Sequence, residues 1–178
     1  MSRSALPFIL YAALLAGCAS QAPKAIRTEP PGSPTVAQVR ADPQRWMGAQ
    51  VRWGGTIASV ENKGQETWVE VVSRDLWDEG RPMDNDRTGG RFLARIPGFL
   101  DPAIYAKERQ LTVAGTVAGS LTRPIGQYPY RFPVVRADAS YLWEPLPPPR
   151  PWYHDPFWYD DPWYPYMYPR SWDYPYFR

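Results

Sequence analysis

The chain has one cysteine and one histidine, Cys18 and His154, so it is nearly empty of the side chains that most often hold transition metals or activate nucleophiles. A single cysteine excludes an internal disulfide and a thiolate metal cage. A lone histidine serves catalysis only where a nucleophile and an orienting carboxylate are held rigidly beside it. His154 instead sits in a proline-rich stretch, where Asp155 reads as turn chemistry. Charge of one sign is lacking too: 20 basic residues face 18 acidic ones, which leaves no electrostatic footprint for nucleic acid. No phosphate loop, nucleophile elbow or zinc motif occurs. Asp84 and Asp86 have Asp-x-Asp spacing without the Gly and Glu of a calcium loop, and His154, Asp155, Asp160 and Asp161 do not close a coordination shell. These absences point to a protein without metal or cofactor and give no positive reason to expect an enzyme.

Long apolar runs are also missing. The longest, Ala5 to Leu15, follows Arg3 and falls short of the ~20 residues a membrane span needs, but it suits the core of an export signal. It ends in Leu15-Ala16-Gly17-Cys18, the lipobox pattern: small residues admit the signal peptidase, and the cysteine thiolate accepts a diacylglyceryl group. The competing reading is an ordinary signal with a free exported thiol. Lipidation at Cys18 makes residues 1–17 a signal peptide and anchors the mature chain, because two or three acyl chains hold where one does not. Ala19 stands where Asp would favour retention at the inner membrane of a Gram-negative cell, so the outer membrane is the expected address. Residues 18–34 read as a lipidated tether, kept extended by Pro30, Pro31 and Pro34.

Residues 35–145 carry strand patterns. Thr35 is a plausible N-cap for a short helix that stops before Pro43. Val51, Trp53 and Ile57 share a face, Gly64 marks a turn, and Glu66–Arg74 returns to complete a hairpin. Leu76–Gly90 reads as a loop that is either functional or mobile at its length. Phe92, Ala94 and Ile96 alternate inward, with Arg91 and Arg95 outward. Asp101-Pro102 predicts a helix start, strands follow at 110–119 and 130–143, and a Gly- and Pro-containing turn joins them. Trp53-Gly54-Gly55-Thr56-Ile57 and Val113-Ala114-Gly115-Thr116-Val117 echo each other as bends where a sheet curls. The order predicts a mainly β fold: a small five-stranded OB-like barrel with one short helix between its third and fourth strands. A meander closed over that helix is the rival topology. On the barrel, Trp68, Arg91 and Arg95 are the candidate ligand face.

Residues 146–178 change character. Units of Asp-Pro-aromatic-aromatic recur around Asp155, Asp161 and Asp173, and the prolines exclude helix and laddered strand. The tail is open to three readings: a low-complexity tail that folds back on the barrel or stays loose, a second membrane contact through interfacial Trp and Tyr, and a stacking platform for sugars or peptides.

Arg91-Phe92-Leu93-Ala94-Arg95-Ile96-Pro97-Gly98-Phe99-Leu100-Asp101-Pro102-Ala103-Ile104-Tyr105 resembles the Slp family, the starvation-inducible outer-membrane lipoproteins of Gram-negative bacteria. The likeness extends to Val51–Gly55, Leu111–Val117 and Tyr128–Val134. It implies a lipid-anchored, non-catalytic outer-membrane protein that contributes to envelope integrity under starvation or stress, and it carries no catalytic residue with it. The alternative is an OB-like module that binds an envelope glycan or peptide.

Overall fold

A computed structural model describes residues 22–146. The lipobox with Cys18, and residues 147–178 of the aromatic tail with His154, lie outside the described residues. The chain divides into two units, Met1–Pro145 and Leu146–Arg178, and Leu146 alone is described in the second.

Two short helices, α1 (Lys24–Arg27) and α2 (Val36–Ala41), precede five strands: β1 (Gln50–Lys63), β2 (Glu66–Arg74), β3 (Arg91–Pro97), β4 (Gln110–Ile125) and β5 (Tyr128–Leu142). The strands close into a barrel in the order β1-β2-β3-β5-β4, with β3 and β5 parallel and the other pairings antiparallel. This is the expected OB-type topology, and closure removes the free sheet edges on which chains aggregate. Alternation places Val51, Trp53, Ile57, Val69, Val71, Phe92, Ala94, Ile96, Leu111, Val113 and Val117 in one interior cluster. Trp53 and Phe92 meet there edge to face at 5.3 Å.

The echoed glycines are where strands crowd. A Cβ on Gly55 would land on the Val72 carbonyl oxygen, and one on Gly115 on the Arg136 carbonyl oxygen. The ladder shifts register beside each, at Ile57/Ser59 and at Ala114/Gly115. The sequence ends β4 at Gly119 with a turn after it, and this is corrected: the strand bulges there at φ 122° and runs on to Ile125, so the turn moves to Gly126.

The predicted helix between β3 and β4 is corrected to a single turn. Asp101 does cap it, accepting from Ala103 N at 2.8 Å through Oδ1 and from Ile104 and Tyr105 at 3.0 and 2.9 Å through its carbonyl. Propagation stops because Glu108 adopts φ 73° and its N–H donates to the Ile57 carbonyl at 2.9 Å, which commits the chain to β4. One turn fixes several dihedrals for few bonds and does not extend by itself. α2 forms where Thr35 predicts it, closed by a capping box with Gln38.

The tether is corrected as well. From Ala22 the chain lies on the barrel, because Ile26, an apolar residue hidden in a polar stretch, is fully buried with Ala22, Ala114 and Trp143. Trp53 Nε1 donates to the Pro34 carbonyl at 2.8 Å and pins the far end of this strap. The long β2–β3 loop closes over it. Gly80, at φ 91°, presses its α-carbon so close to the Ile26 carbonyl that a side chain there would overlap it, and the Gly80 carbonyl accepts from Thr112 Oγ1 at 2.7 Å.

Candidate functional site

The outer face of β2 and β3 carries the three residues singled out from the sequence. Trp68 stands opposite Arg95 in the ladder, with Arg91 further along β3 on the same face. Trp68 is half-buried beside a small exterior apolar cluster, Leu93, Phe132 and Val134, which the long β4–β5 hairpin completes with Leu121, Ile125 and Tyr130. Three cations approach the Trp68 ring: Lys63 at 4.8 Å, Arg123 at 5.1 Å and Arg95 at 5.4 Å from its centroid. Their residues come from the β1 end, from β4 and from β3. The sequence reading missed Lys63 and Arg123, because only the extension of β1 and β4 beyond their expected ends brings them to the ring.

Every cation on this face is paired with a carboxylate, though two of them share one. Glu66 takes Arg95 in a fork, with Nε at 3.1 Å from both oxygens and Nη2 at 2.9 Å, and also accepts from Trp68 Nε1 at 2.7 Å. Arg91 Nη1 reaches Glu70 at 2.6 Å. Lys63 and Arg123 share Glu61, both at 3.1 Å. The Arg95 hydrogen bond, then the Trp68 indole, hold the Glu66 carboxyl below its ordinary value. The Lys63 hydrogen bond, which outweighs desolvation, does the same for Glu61, with Arg123 adding to it. The result is an aromatic platform edged by ion pairs, four cations on three carboxylates. Its geometry suits stacking of a polar ring. Among the described residues no cluster of His, Cys, Asp or Glu is arranged to hold a metal ion.

The second feature is a cavity of about 410 Å³ on the opposite flank of β2, where the strap crosses the barrel. Its walls are Glu29 and Ser33–Ala37 of the strap, Arg52–Gly54 of β1, Ser73–Leu76 at the end of β2, and Arg87–Gly89 of the long loop. Arg52 is its innermost charge, only 8 % exposed. Its Nη1 donates to the Ile26 and Asp78 carbonyls at 3.3 and 3.2 Å, and Nη2 reaches Glu29 Oε2 at 3.4 Å. Nε is buried without a partner. An Arg in a predicted strand between Val51 and Trp53 gave no sign of this in the sequence, where alternation alone placed it outward.

Comparisons with known proteins give a family match over most of the chain. The family profile described as the outer membrane lipoprotein Slp family matches residues 15–172. The Escherichia coli protein named Uncharacterized lipoprotein YeaY is 31% identical over 163 residues, covering 89% of this chain and 82% of that one. The Escherichia coli Outer membrane protein Slp is 32% identical over 132 residues, covering 73% and 69%. A protein of Haemophilus influenzae is 35% identical over 94 residues, covering 52% and 51%.

Proposed function

Because this chain belongs to the outer membrane lipoprotein Slp family, we propose that it is a non-catalytic lipoprotein, anchored through Cys18 in the outer membrane of a Gram-negative cell, that contributes to envelope integrity under starvation or stress. The observation that carries this reading is the docked strap. Ala22, the fourth residue after Cys18, is already packed on the barrel beside Trp143. Four residues extend at most ~14 Å, so a lipid on Cys18 holds the barrel directly at the bilayer surface rather than on a long leash. Trp143 precedes Glu144 and Pro145, so the chain also leaves the barrel at the end where the anchor enters. The interfacial reading of the aromatic tail rests on its Trp and Tyr residues, whose apolar bodies and polar tips suit the headgroup level.

Metabolic labelling with palmitate tests the anchor: wild-type protein takes up label and fractionates with the outer membrane, while Cys18→Ala takes up none. An unlabelled wild type would remove the proposal's basis. Liposome flotation of a Cys18→Ser form, with and without residues 146–178, tests the tail; equal flotation of the two would reduce it to an inert extension. A second reading, an OB-like module for an envelope glycan or peptide, is favoured by the half-buried Trp68 ring on the outer face. It requires Trp68→Ala to lose the thermal stabilisation by any glycan or peptide that raises the melting temperature of the wild type.

A further inference from the structure

The Arg52 cavity is built unlike the Trp68 face. A buried guanidinium without full pairing is costly, so natural interiors satisfy it, yet here every bond to it is long and one donor has none. The pattern of what is satisfied is informative. Nη1, which donates to the Ile26 and Asp78 carbonyls, lies on the side of the guanidinium turned toward its own Cδ. Nε and Nη2 form the other edge, the one that presents two parallel N–H bonds to a carboxylate. That edge holds only Glu29 Oε2, at 3.4 Å on Nη2, and nothing on Nε. Glu29 itself is held loosely, with its side chain 63% exposed. Arg109 also has a buried Nε without a partner, but it is not among the cavity's lining residues.

We propose that the cavity beneath the strap binds a small carboxylate-bearing solute, whose carboxylate takes the Nε/Nη2 edge of Arg52 and displaces Glu29, the chain's own occupant of that edge. The volume lies within the ~300–1,000 Å³ of small-molecule sites. The lining charges select the anion: Arg52, Arg74 and Arg87 against Glu29 and Asp75 leave one net positive charge, which suits a monoanion better than a phosphate dianion. Apolar and hydroxyl-bearing walls, Pro34 and Trp53 with Ser33 and Thr88, suit a polar ring or short chain as the body of that solute. Glu29 and Ile26 both belong to the strap that leads to Cys18, so occupancy of the cavity would be felt by the segment next to the anchor.

The test uses the full-length protein in detergent micelles and three probes: glucuronate, its neutral counterpart glucose, and inorganic phosphate at matched ionic strength. Glucuronate is expected to raise the melting temperature in a saturable way, with glucose and phosphate without effect. Glu29→Gln removes the competing carboxylate and is expected to tighten glucuronate by roughly two- to fivefold, the scale of one exposed ion pair. Arg52→Lys keeps the charge but loses the fork, and is expected to abolish the response. If that variant does not fold, the exposed Glu29→Gln variant still decides. The proposal is overturned if glucuronate acts no differently from glucose in both the wild type and Glu29→Gln, if phosphate matches glucuronate, or if Glu29→Gln leaves the affinity unchanged.

Discussion

Two arginines, on opposite flanks of β2, divide the molecule. Arg95 is more than a third exposed yet closely paired: its fork meets Glu66 at 2.9–3.1 Å and its plane approaches Trp68. Arg52 is nearly buried yet poorly engaged, with bonds of 3.2–3.4 Å and an unpartnered Nε. Burial ordinarily demands better pairing, because the low dielectric magnifies what is missing. The inversion separates the two flanks by how completely their guanidinium groups are paired. The Trp68 face is finished within the chain. The strap side is held together by apolar packing around Ile26 and carries its charge in reserve.

The largest effect expected from that contrast is on the strap. Ile26→Ala leaves a cavity where a fully buried side chain packed against Ala114 and Trp143, a loss of ~2–5 kcal/mol by the usual range for such truncations. Proteolysis should then cut within residues 22–34 while the barrel survives, and chemical denaturation should report the energy. If the strap stays protected, packing is not what holds it. Gly80→Ala should act in the same direction, since it strains a positive φ and drives a methyl into the Ile26 carbonyl. By contrast Trp68→Ala removes a half-buried ring from the other flank and should leave the strap protected. A smaller effect separates the two ion pairs. In double-mutant cycles the coupling of Glu66 to Arg95 should exceed that of Glu29 to Arg52, although Arg52 is the more buried. Equal couplings would erase the distinction between a completed and an uncompleted guanidinium.

How legible these flanks were in the sequence follows from the range of the forces that make them. Period-two alternation is local, so the interior positions, Phe92, Ala94 and Ile96 for example, and the hairpin at Gly64 could be read directly. The succession of five strands was legible, and with it an OB-type barrel, but a meander fitted the same succession; the parallel β3–β5 pairing that decides between them joins strands far apart in sequence. Trp68 and Arg95 were legible as a pair facing outward, but not Lys63 and Arg123, which reach the ring from elements far apart in sequence. The strap was illegible for a different reason. One apolar residue, Ile26, in a stretch of Pro, Lys, Thr and Glu carries no periodicity, and its burial depends on Gly80 and Trp143, more than fifty residues away. The Arg52 cavity inherits that blindness, since the strap is one of its walls. The helix expected at Asp101 failed at its C-terminal side, where the Glu108–Ile57 bond, a tertiary contact, overrode a correct cap.

The smallest expected effect is a pH response confined to the Trp68 flank. Glu66 has its carboxyl lowered first by the Arg95 fork and then by the Trp68 indole. A carboxylate whose folded value lies below its unfolded one stabilises the fold at pH above the unfolded value, and that contribution is lost as pH falls through the folded value. Acidification below the ordinary carboxylate range should therefore release Arg95 and the Trp68 Nε1 hydrogen bond together, while at neutral pH the clamp is fully formed. A Trp68→Phe variant isolates the signal: the difference in fluorescence between it and the wild type should shift in acid and recover on neutralisation. Glu66→Gln should remove this transition, since an amide does not titrate in that range. Arg52 makes no titratable contact except with exposed Glu29, so the strap should keep its protease protection through the same acid range. Loss of strap protection in step with the Trp68 signal would mean that the two flanks are coupled through β2 and that the contrast between them is not local.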